Sequence, residues 1–177
     1  DFIFIALHGK DGESGELQKF LQQKNLQYSG SGYEACKNTW NKDTFKKILR
    51  ENNISTPNWI SVPSLHDFKF NLNDTIFDQF RPFNEIFLKP AEDGSSIDVF
   101  KLSTNDDLKK AITDSLDAER QFIFEESIDF KELTVPILNG KCLTPVEIIT
   151  KESFYNFNAK YVNDDTELNE FIISDKK

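Results

Sequence analysis

A continuous apolar run at the start of the chain limits the fold more than any other feature. Residues Phe2–Leu7 carry no polar side chain, which is typical of a strand in a parallel sheet covered on both faces. A polar loop follows, and apolar residues then recur between 17 and 21 at the spacing of one helix face. Residues Leu26–Tyr28 precede a cluster of helix and strand breakers, Ser29–Gly32. This order predicts a β-α-β unit that ends an open α/β domain, with a boundary after residue 32.

Composition places the chain among globular proteins. Its 177 residues are 38% hydrophobic and 29% charged, and the apolar runs are too short to cross a bilayer. The 21 basic and 30 acidic residues give a formal net charge of −9, which argues against a nucleic-acid partner because binding phosphate backbone needs a basic surface. Since the chain opens in a strand-like run and contains no Met, we expect a further N-terminal portion.

Cysteines and histidines are too few for most redox and metal chemistry. Cys36 and Cys142 lie far apart without C-x-x-C spacing, which predicts two reduced thiols. His8 and His66 cannot form a histidine-rich zinc site, and no H-E-x-x-H motif occurs. These residues therefore predict neither a histidine-rich zinc site nor a C-x-x-C redox motif.

The middle of the chain predicts an α+β region. Phe45, Ile48 and Leu49 share a helix face, and a strand over Trp59–Val62 is bounded by Pro57 and Pro63. Residues 64–84 show no convincing period. The next predicted elements are a strand over 85–90, its return partner over 97–102, and a helix with a Thr104 and Asp107 capping box and the face Leu108, Ala111, Ile112 and Leu116.

The last third of the chain predicts mainly strands, over 121–125, 133–138 and 146–150. Asn139-Gly140 lies between two β-rich runs and is a strong hairpin signal. Residues 151–165 are polar and aromatic without a regular spacing. A loop of this length in a compact domain is typical of a functional or mobile segment.

Lys89 and Pro90 end a predicted strand shortly before the small residues Gly94, Ser95 and Ser96. Successive backbone N–H groups of such a loop can bind an anion, and the lysine adds charge. The segment matches neither a P-loop nor a dinucleotide-binding fingerprint. On spacing alone an ordinary hairpin loop is favoured, and a phosphate site is the alternative.

Several short motifs occur in one order along nearly the whole chain, apart from residues 64–84. The motifs are Phe4-Ile5-Ala6-Leu7-His8-Gly9, Gly12-Glu13-Ser14-Gly15 with Gln18, Tyr28-Ser29-Gly30-Ser31-Gly32, Phe87-Leu88-Lys89-Pro90 through Gly94-Ser95-Ser96, Glu132-Leu133-Thr134-Val135, and Phe154-Tyr155 through Ala159-Lys160-Tyr161. In that order and spacing they resemble the D-alanine:D-alanine ligase family of ATP-grasp enzymes.

The resemblance implies a fold class that combines α/β and α+β parts. An ATP-grasp portion is preceded by the end of an open α/β, pre-ATP-grasp domain. The implied domains are 1–32, the end of the N-terminal α/β substrate domain; 33–125, a central lobe with a phosphate lid; and 126–177, the start of the C-terminal lobe with an active-site loop.

The resemblance also implies roles for individual residues, each of which alone has a simpler explanation as a surface, strand-end or loop-packing residue. ATP would lie between two lobes, with Lys42 and Lys89 on its phosphates. Ser95, Lys160 and Tyr161 are the implied catalytic residues. The other implied contacts are Ser96 in the phosphate lid, Glu125, Glu126 and Ile128 in the linker against adenine, Glu132 on the ribose hydroxyls, and His8 in the first D-alanine site.

The implied activity is that of an ATP- and Mg²⁺-dependent ligase. One D-alanine carboxylate would be phosphorylated to an acyl phosphate, which the amine of a second D-alanine then attacks. The reaction would take place in the cytoplasm. It would supply peptidoglycan synthesis and so contribute to cell wall biogenesis and cell shape. D-alanine is the implied small-molecule partner, and a homodimer is compatible with the resemblance. The Mg²⁺ ligands are expected outside this chain, which alone is expected to be inactive.

Some positions depart from the family pattern. Asp98 replaces a usual Gly, and Glu126 replaces a usual Lys. Two added acids near a polyanion are expected to weaken nucleotide binding by repulsion, so that Asp98→Gly would tighten it. Two alternatives therefore stay open. One is a non-catalytic ATP-grasp-like module that binds a nucleotide or partner, and the other is an ATP-grasp ligase for another carboxylate and amine pair.

Overall fold

Two compact units, Asp1–Ser127 and Ile128–Lys177, make up the computed structural model of the chain. It describes residues 2–68, 76, 85–152, 154–162 and 166–172. The finer division into 1–32, 33–125 and 126–177 stays a prediction. Within the described ranges, no helix is long and apolar enough to cross a membrane.

The first unit contains a small parallel sheet and a larger antiparallel one. The described helices of this unit are α1 (Lys10–Glu13), α2 (Glu16–Gln23), α3 (Tyr33–Trp40), α4 (Lys42–Glu51), α5 (Leu65–Phe68) and α6 (Asn105–Asp114), and the described strands are β1 (Phe2–Ile3), β2 (Gln27–Tyr28), β3 (Trp59–Val62), β4 (Ile86–Pro90), β5 (Phe100–Leu102) and β6 (Phe122–Glu126). The small sheet pairs β1 with β2, and the larger sheet has the strand order β3-β6-β4-β5.

The predicted β-α-β unit is present, with a shorter first strand than the apolar run suggested. Ile3 and Ile5 are half-buried, whereas Phe2 and Phe4 are 64% and 77% exposed. The run was expected to be covered on both faces. Within the described residues only the face that carries the isoleucines is covered, so that expectation is not met there.

The larger sheet carries the hydrophobic core of the first unit on one face. The register places Leu88 opposite Phe124, and alternate residues of each strand point to that same face. Helix α6 covers it with Leu108, Ala111 and Ile112, which are buried as predicted. Leu116 was predicted to join this face, but it follows the end of the helix and is 79% exposed.

The predicted capping box at the start of α6 is confirmed. The Thr104 side chain accepts a hydrogen bond from the Asp107 N–H at 3.1 Å, and the Asp107 carboxylate accepts from the Thr104 N–H at 2.9 Å. Two N–H groups that the first helical turn leaves unpaired are thereby satisfied.

Replacing this cap should destabilise the first unit measurably. We expect Thr104→Ala to lower the free energy of unfolding by about 1 kcal/mol, because the Asp107 N–H loses its partner. Thr113→Ala is the matched control, since its exposed hydroxyl only bonds the Lys109 carbonyl within the same helix. Equal losses in a urea titration would contradict the role of the cap.

The second unit is mainly β-structure with one short helix. The predicted strand over 133–138 is divided in two because Pro136 lacks the N–H that a continuous ladder needs. The described elements are β7 (Glu132–Thr134), β8 (Ile137–Leu138), β9 (Lys141–Cys142), β10 (Val146–Ile149), α7 (Phe157–Tyr161) and β11 (Glu167–Glu170). Strand β10 pairs with β7 on one side and with β11 on the other.

Two sequence predictions in the second unit have opposite outcomes. The hairpin at Asn139-Gly140 is confirmed, with φ of 51° and 73° in the left-handed region that its tight turn requires. No regular element was predicted within 151–165, yet α7 forms there because the Asn156 side chain caps it by accepting from the Ala159 N–H at 2.9 Å. Parts of 64–84 and 151–165, namely 69–75, 77–84, 153 and 163–165, lie outside the described residues.

Candidate functional site

The pleat of the larger sheet brings Lys89 and Glu125 together on the face opposite the core. Leu88 and Phe124 point into the core, so their neighbours Lys89 and Glu125 point away from it. Glu125 is paired with Phe87, two residues before Lys89, so Lys89 and Glu125 are diagonal neighbours on one face of the sheet. Long side chains can span that separation. Their ammonium and carboxylate groups form an ion pair.

Helix α4 covers this face with polar side chains. Lys46 Nζ lies 2.5 Å from a Glu125 carboxylate oxygen and donates to Thr56 Oγ1 at 2.7 Å. The Lys46 side chain is 7% exposed. Phe45, which predicted the buried face of this helix, is only half-buried. The most buried positions of α4 are instead Asp43 and Lys46.

The Glu125 carboxylate is therefore shared by two lysines. Burial alone would raise its pKa, but the Lys89 and Lys46 ammonium groups outweigh that effect and hold the pKa below the ordinary glutamate range. With this lowered pKa, Glu125 is ionised at neutral pH, and its carboxylate orients both lysines.

Lys42 brings a further cation to the same place from the start of α4. Its ammonium group donates to the Asp93 carbonyl at 2.7 Å, and its backbone N–H donates to the Ala91 carbonyl at 2.6 Å. Burial, followed by repulsion from Lys89, lowers the pKa of Lys42 to about 8. Two ammonium groups held near one another and partly removed from water form a favourable site for an anion.

The loop from Asp93 to Asp98 has an unusual backbone. Asp93, Ser95, Ser96 and Asp98 have φ of 84°, 56°, 56° and 53°, a region that residues other than glycine rarely adopt. The Ile97 N–H closes the loop on the Gly94 carbonyl at 3.2 Å. We call residues 93–98 the phosphate loop, after the role that the family resemblance implies. Such a backbone persists only where its surroundings hold it.

Arg120 holds the phosphate loop at both ends. Its guanidinium pairs with the Asp93 carboxylate and, at 2.5 Å, with the Asp98 carboxylate. Asp98 also accepts from the Leu116 N–H at 2.9 Å and from Ser115 Oγ at 3.1 Å. The sequence predicted repulsion between Asp98 and the phosphates, and its pairing with a neighbouring cation reduces the charge that such repulsion requires. Its effect on nucleotide binding stays a prediction.

Glu126 is also paired. Its two carboxylate oxygens accept from the Asn58 backbone N–H and side-chain amide, each at 2.9 Å. These bonds extend the β3–β6 pairing by one step beyond Trp59. Glu126 thus has a structural partner in Asn58. The replacement of the family's usual lysine by a glutamate at this position did not indicate that partner.

Glu13 and His8 lie on the N-terminal side of the phosphate loop. His8 Nδ1 is 3.6 Å from a Glu13 carboxylate oxygen, and the His8 side chain is 94% exposed. The other Glu13 oxygen would lie 3.9 Å from a methyl group added at Gly94. Glu13 therefore lies near both His8 and Gly94.

The remaining predicted residues belong to the second unit. Glu132 begins β7 and is half-buried, and Ile128 is 41% exposed. On α7, Lys160 lies over the Tyr155 ring at 5.1 Å, and Tyr161 is 63% exposed. Their predicted contacts with nucleotide and with Ser95 stay predictions.

Sequence reasoning missed Lys46, Glu13, Asp93 and Arg120. Lys46 follows Lys42 by four residues, and that spacing places both on one face of a helix. Glu13 lies within a quoted motif, and Asp93 directly precedes Gly94. No sequence pattern indicated a role for Arg120, because its partners Asp93 and Asp98 lie more than twenty residues away in the chain.

Metal ligands do not cluster in the described ranges, where no group of three or more His, Cys, Asp or Glu side chains could hold an ion. Cys36 and Cys142 are free thiols, as predicted. Burial raises the pKa of Cys36.

Comparison with protein families points to one group. A family model described as "D-ala D-ala ligase C-terminus" matches residues 48–176. D-alanine--D-alanine ligase B of Clostridium perfringens is 35% identical over 161 residues, which are 91% of this chain and 51% of that protein. D-alanine--D-alanine ligase of Haemophilus ducreyi is 35% identical over 165 residues, covering 93% and 53%. The chain spans about half the length of the curated relatives that it matches.

Solved structures agree with the sequence relatives. D-alanyl-alanine synthetase A from Vibrio cholerae superposes with a TM-score of 0.78 at 26% identity, covering 99% of this chain and 54% of that one. D-alanine--D-alanine ligase from Bacillus anthracis, complexed with ATP, gives a TM-score of 0.77 at 28% identity, covering 98% and 53%.

Proposed function

We propose, from the premise that this chain belongs to the D-alanine:D-alanine ligase family, that the protein is an ATP-dependent ligase that joins two D-alanine molecules. The fold class is that of the ATP-grasp enzymes. The observation that carries the proposal is the pair of partly desolvated ammonium groups, Lys42 and Lys89, beside the phosphate loop.

The residues of the first unit suit a nucleotide polyphosphate. In a chain with a formal net charge of −9, cations gather at Lys42, Lys46, Lys89 and Arg120. Lys42 and Lys89 would bind the phosphates, and Glu125 would orient Lys89 until they arrive. The phosphate loop would close over them with Ser95 and Ser96. Mg²⁺ would accompany ATP and neutralise phosphate charge, and we place its protein ligands outside this chain.

The proposed chemistry has two steps. The carboxylate of the first D-alanine attacks the γ-phosphorus and displaces ADP, which gives D-alanyl phosphate. The amine of the second D-alanine then attacks the acyl carbon, releasing phosphate and a proton. Preorganised cations at Lys42 and Lys89 would stabilise the charge that develops in the first step.

Other residues take supporting roles in the proposal. His8 would contact the first D-alanine, Lys160 would approach the phosphates, and Tyr161 would close the active-site loop on Ser95. Adenine would contact Glu125, Glu126 and Ile128, and Glu132 would bind the ribose hydroxyls. We place the enzyme in the cytoplasm, in peptidoglycan precursor synthesis, with a homodimer as the assembly to test.

A substrate-dependence assay tests the proposal. The full-length protein is incubated with ATP, Mg²⁺ and D-alanine, phosphate release is followed, and the product is identified by mass spectrometry. We expect D-alanyl-D-alanine in equal amount to phosphate, and no reaction with L-alanine. ATP binding without phosphate release would support a non-catalytic module. Turnover only when another amine is added would support a ligase for a different pair.

The pKa of Lys42 predicts how ATP binding varies with pH. A group with a pKa of about 8 in the free protein loses charge as the pH rises above 8, whereas bound phosphate favours the charged form. We expect ATP affinity to fall by several-fold between pH 8 and pH 9.5, with proton uptake on binding. Calorimetry in two buffers of different ionisation enthalpy measures both.

Lys42→Arg is the control for this pH dependence. Arginine keeps its charge throughout the range, so the variant should bind ATP with an affinity that varies little between pH 8 and pH 9.5. The same fall in affinity for both proteins would assign the titration to another group.

A further inference from the structure

Arg120 and Asp98 have a role that the proposed function does not assign to them. We propose that they form a positioning pair, which sets the phosphate loop in its nucleotide-binding conformation and halves the net negative charge that Asp93 and Asp98 present to the phosphates. This inference rests on the proposed function, because it assumes that the loop receives a nucleotide.

The geometry of the pair supports a positioning role. One guanidinium bridges Asp93 and Asp98, the first and last residues of the phosphate loop. The Asp98 side chain is 7% exposed and that of Arg120 is 23% exposed, so water competes little for the Arg120–Asp98 pair. The Asp93 side chain is 37% exposed, so its pairing with Arg120 is the more solvated of the two. The Arg120 guanidinium also lies 5.4 Å from the centroid of the Phe122 ring, which anchors it to the start of β6.

Backbone conformation explains why the loop needs this bridge. Both bridged residues are left-handed, as are Ser95 and Ser96 between them. Residues other than glycine leave such conformations unless neighbouring contacts hold them. Asp98 is tied to the end of α6 through Ser115 and Leu116, and Arg120 extends that tie to Asp93. The first and last residues of the loop are thereby held by groups outside it.

Charge gives the pair a second effect on the nucleotide. Lys42 donates to the carbonyl of Asp93, so the Asp93 carboxylate belongs to a residue that contacts a proposed phosphate ligand. Without Arg120, Asp93 and Asp98 would both present uncompensated negative charge near the phosphates. Loss of Arg120 should therefore weaken ATP binding more than loss of Asp98, and the two losses should not add.

A double-mutant cycle in the whole protein tests the pair. Asp98→Asn, Arg120→Gln and the double variant are compared by the dissociation constant and KM for ATP, kcat, and the thermal unfolding midpoint. We expect KM to rise about 5-fold for Asp98→Asn and about 20-fold for Arg120→Gln, with kcat changed by less than about twofold. The double variant should bind ATP no more weakly than Arg120→Gln, because the second change removes no further contact between the two residues and removes one of the two uncompensated acids.

Two further variants keep the test decisive. Asp106→Asn is the matched control, because the Asp106 carboxylate pairs with Lys109 on an exposed helix surface, and its KM should equal that of the wild type. Asp98→Gly accepts the left-handed backbone without strain, so it tests the bridge even where other variants fold poorly, and it should raise KM.

Three results would overturn the positioning pair. They are a lowered unfolding midpoint with unchanged ATP affinity, strictly additive effects of the two changes, and tighter ATP binding by Asp98→Gly. A wild-type protein that does not bind ATP would instead refute the proposed function, and the binding measurement separates that failure from failure of the pair.

Discussion

Lys89→Met is expected to weaken ATP binding by about 100-fold. The variant removes a proposed phosphate ligand and also leaves Glu125 with one cation in place of two. Truncating one member of a paired, partly desolvated charge changes binding by a few kcal/mol, and a hundredfold change corresponds to about 2.7 kcal/mol. Calorimetric titration of ATP into wild type and variant measures the difference directly.

Lys101→Met is the matched control for that experiment. Lys101 lies on the neighbouring strand β5 and pairs with Glu85 at 2.7 Å, so it is also a sheet lysine with a glutamate partner. It has no contact with Glu125 or the phosphate loop among the described interactions. We expect its ATP affinity to remain within about twofold of the wild type. Similar losses in both variants would indicate a general electrostatic effect and contradict a specific phosphate site.

Local signals in the sequence were sufficient for much of the fold of the first unit. The strand Trp59–Val62 has the predicted bounds because prolines stand close to both of its ends. Helix α6 begins where the capping box predicted. These features depend on residues a few positions apart, and a single sequence contains that information. The run Phe2–Leu7 was less informative, because apolar character alone does not show which elements cover a strand.

The charged residues of the site were harder to predict because their partners come from distant parts of the chain. Lys89 and Glu125 were identified through family motifs, but their mutual pairing depends on the β4–β6 register. Asp98 shows the limit most clearly. Its negative charge was evident from the sequence and predicted repulsion, whereas its neutralising partner Arg120 lies 22 residues away. The sign of its effect on binding depends on that partner.

Lys46→Met is expected to cause the largest loss of stability. Lys46 pairs with Glu125 in a region where the two side chains are 7% and 13% exposed, and it lies 5.2 Å from the centre of the Trp59 ring. Removing one member of a buried ion pair leaves the other charge poorly compensated, which typically costs about 3 kcal/mol or more. Methionine preserves most of the volume, so packing contributes little to the difference.

Lys47→Met separates this effect from the loss of any lysine on α4. The Lys47 side chain is 62% exposed and pairs with Asp43 one turn away, and such a pair contributes less than about 1 kcal/mol. Urea unfolding of the two variants and the wild type gives both free energies. Equal and small losses would contradict a buried, energetically important Lys46–Glu125 pair.

The pH dependence of unfolding adds an independent test of the same pair. Because the pKa of Glu125 is lower in the folded protein than its ordinary value of 4.5, its ionisation stabilises the fold above that pH. This contribution is lost as the pH falls from 4.5 towards the folded pKa. Lys46→Met removes one of the two cations that lower the pKa, so its stability should fall less steeply below pH 4.5 than that of the wild type. Parallel curves would mean that Lys89 alone holds Glu125 in its ionised form.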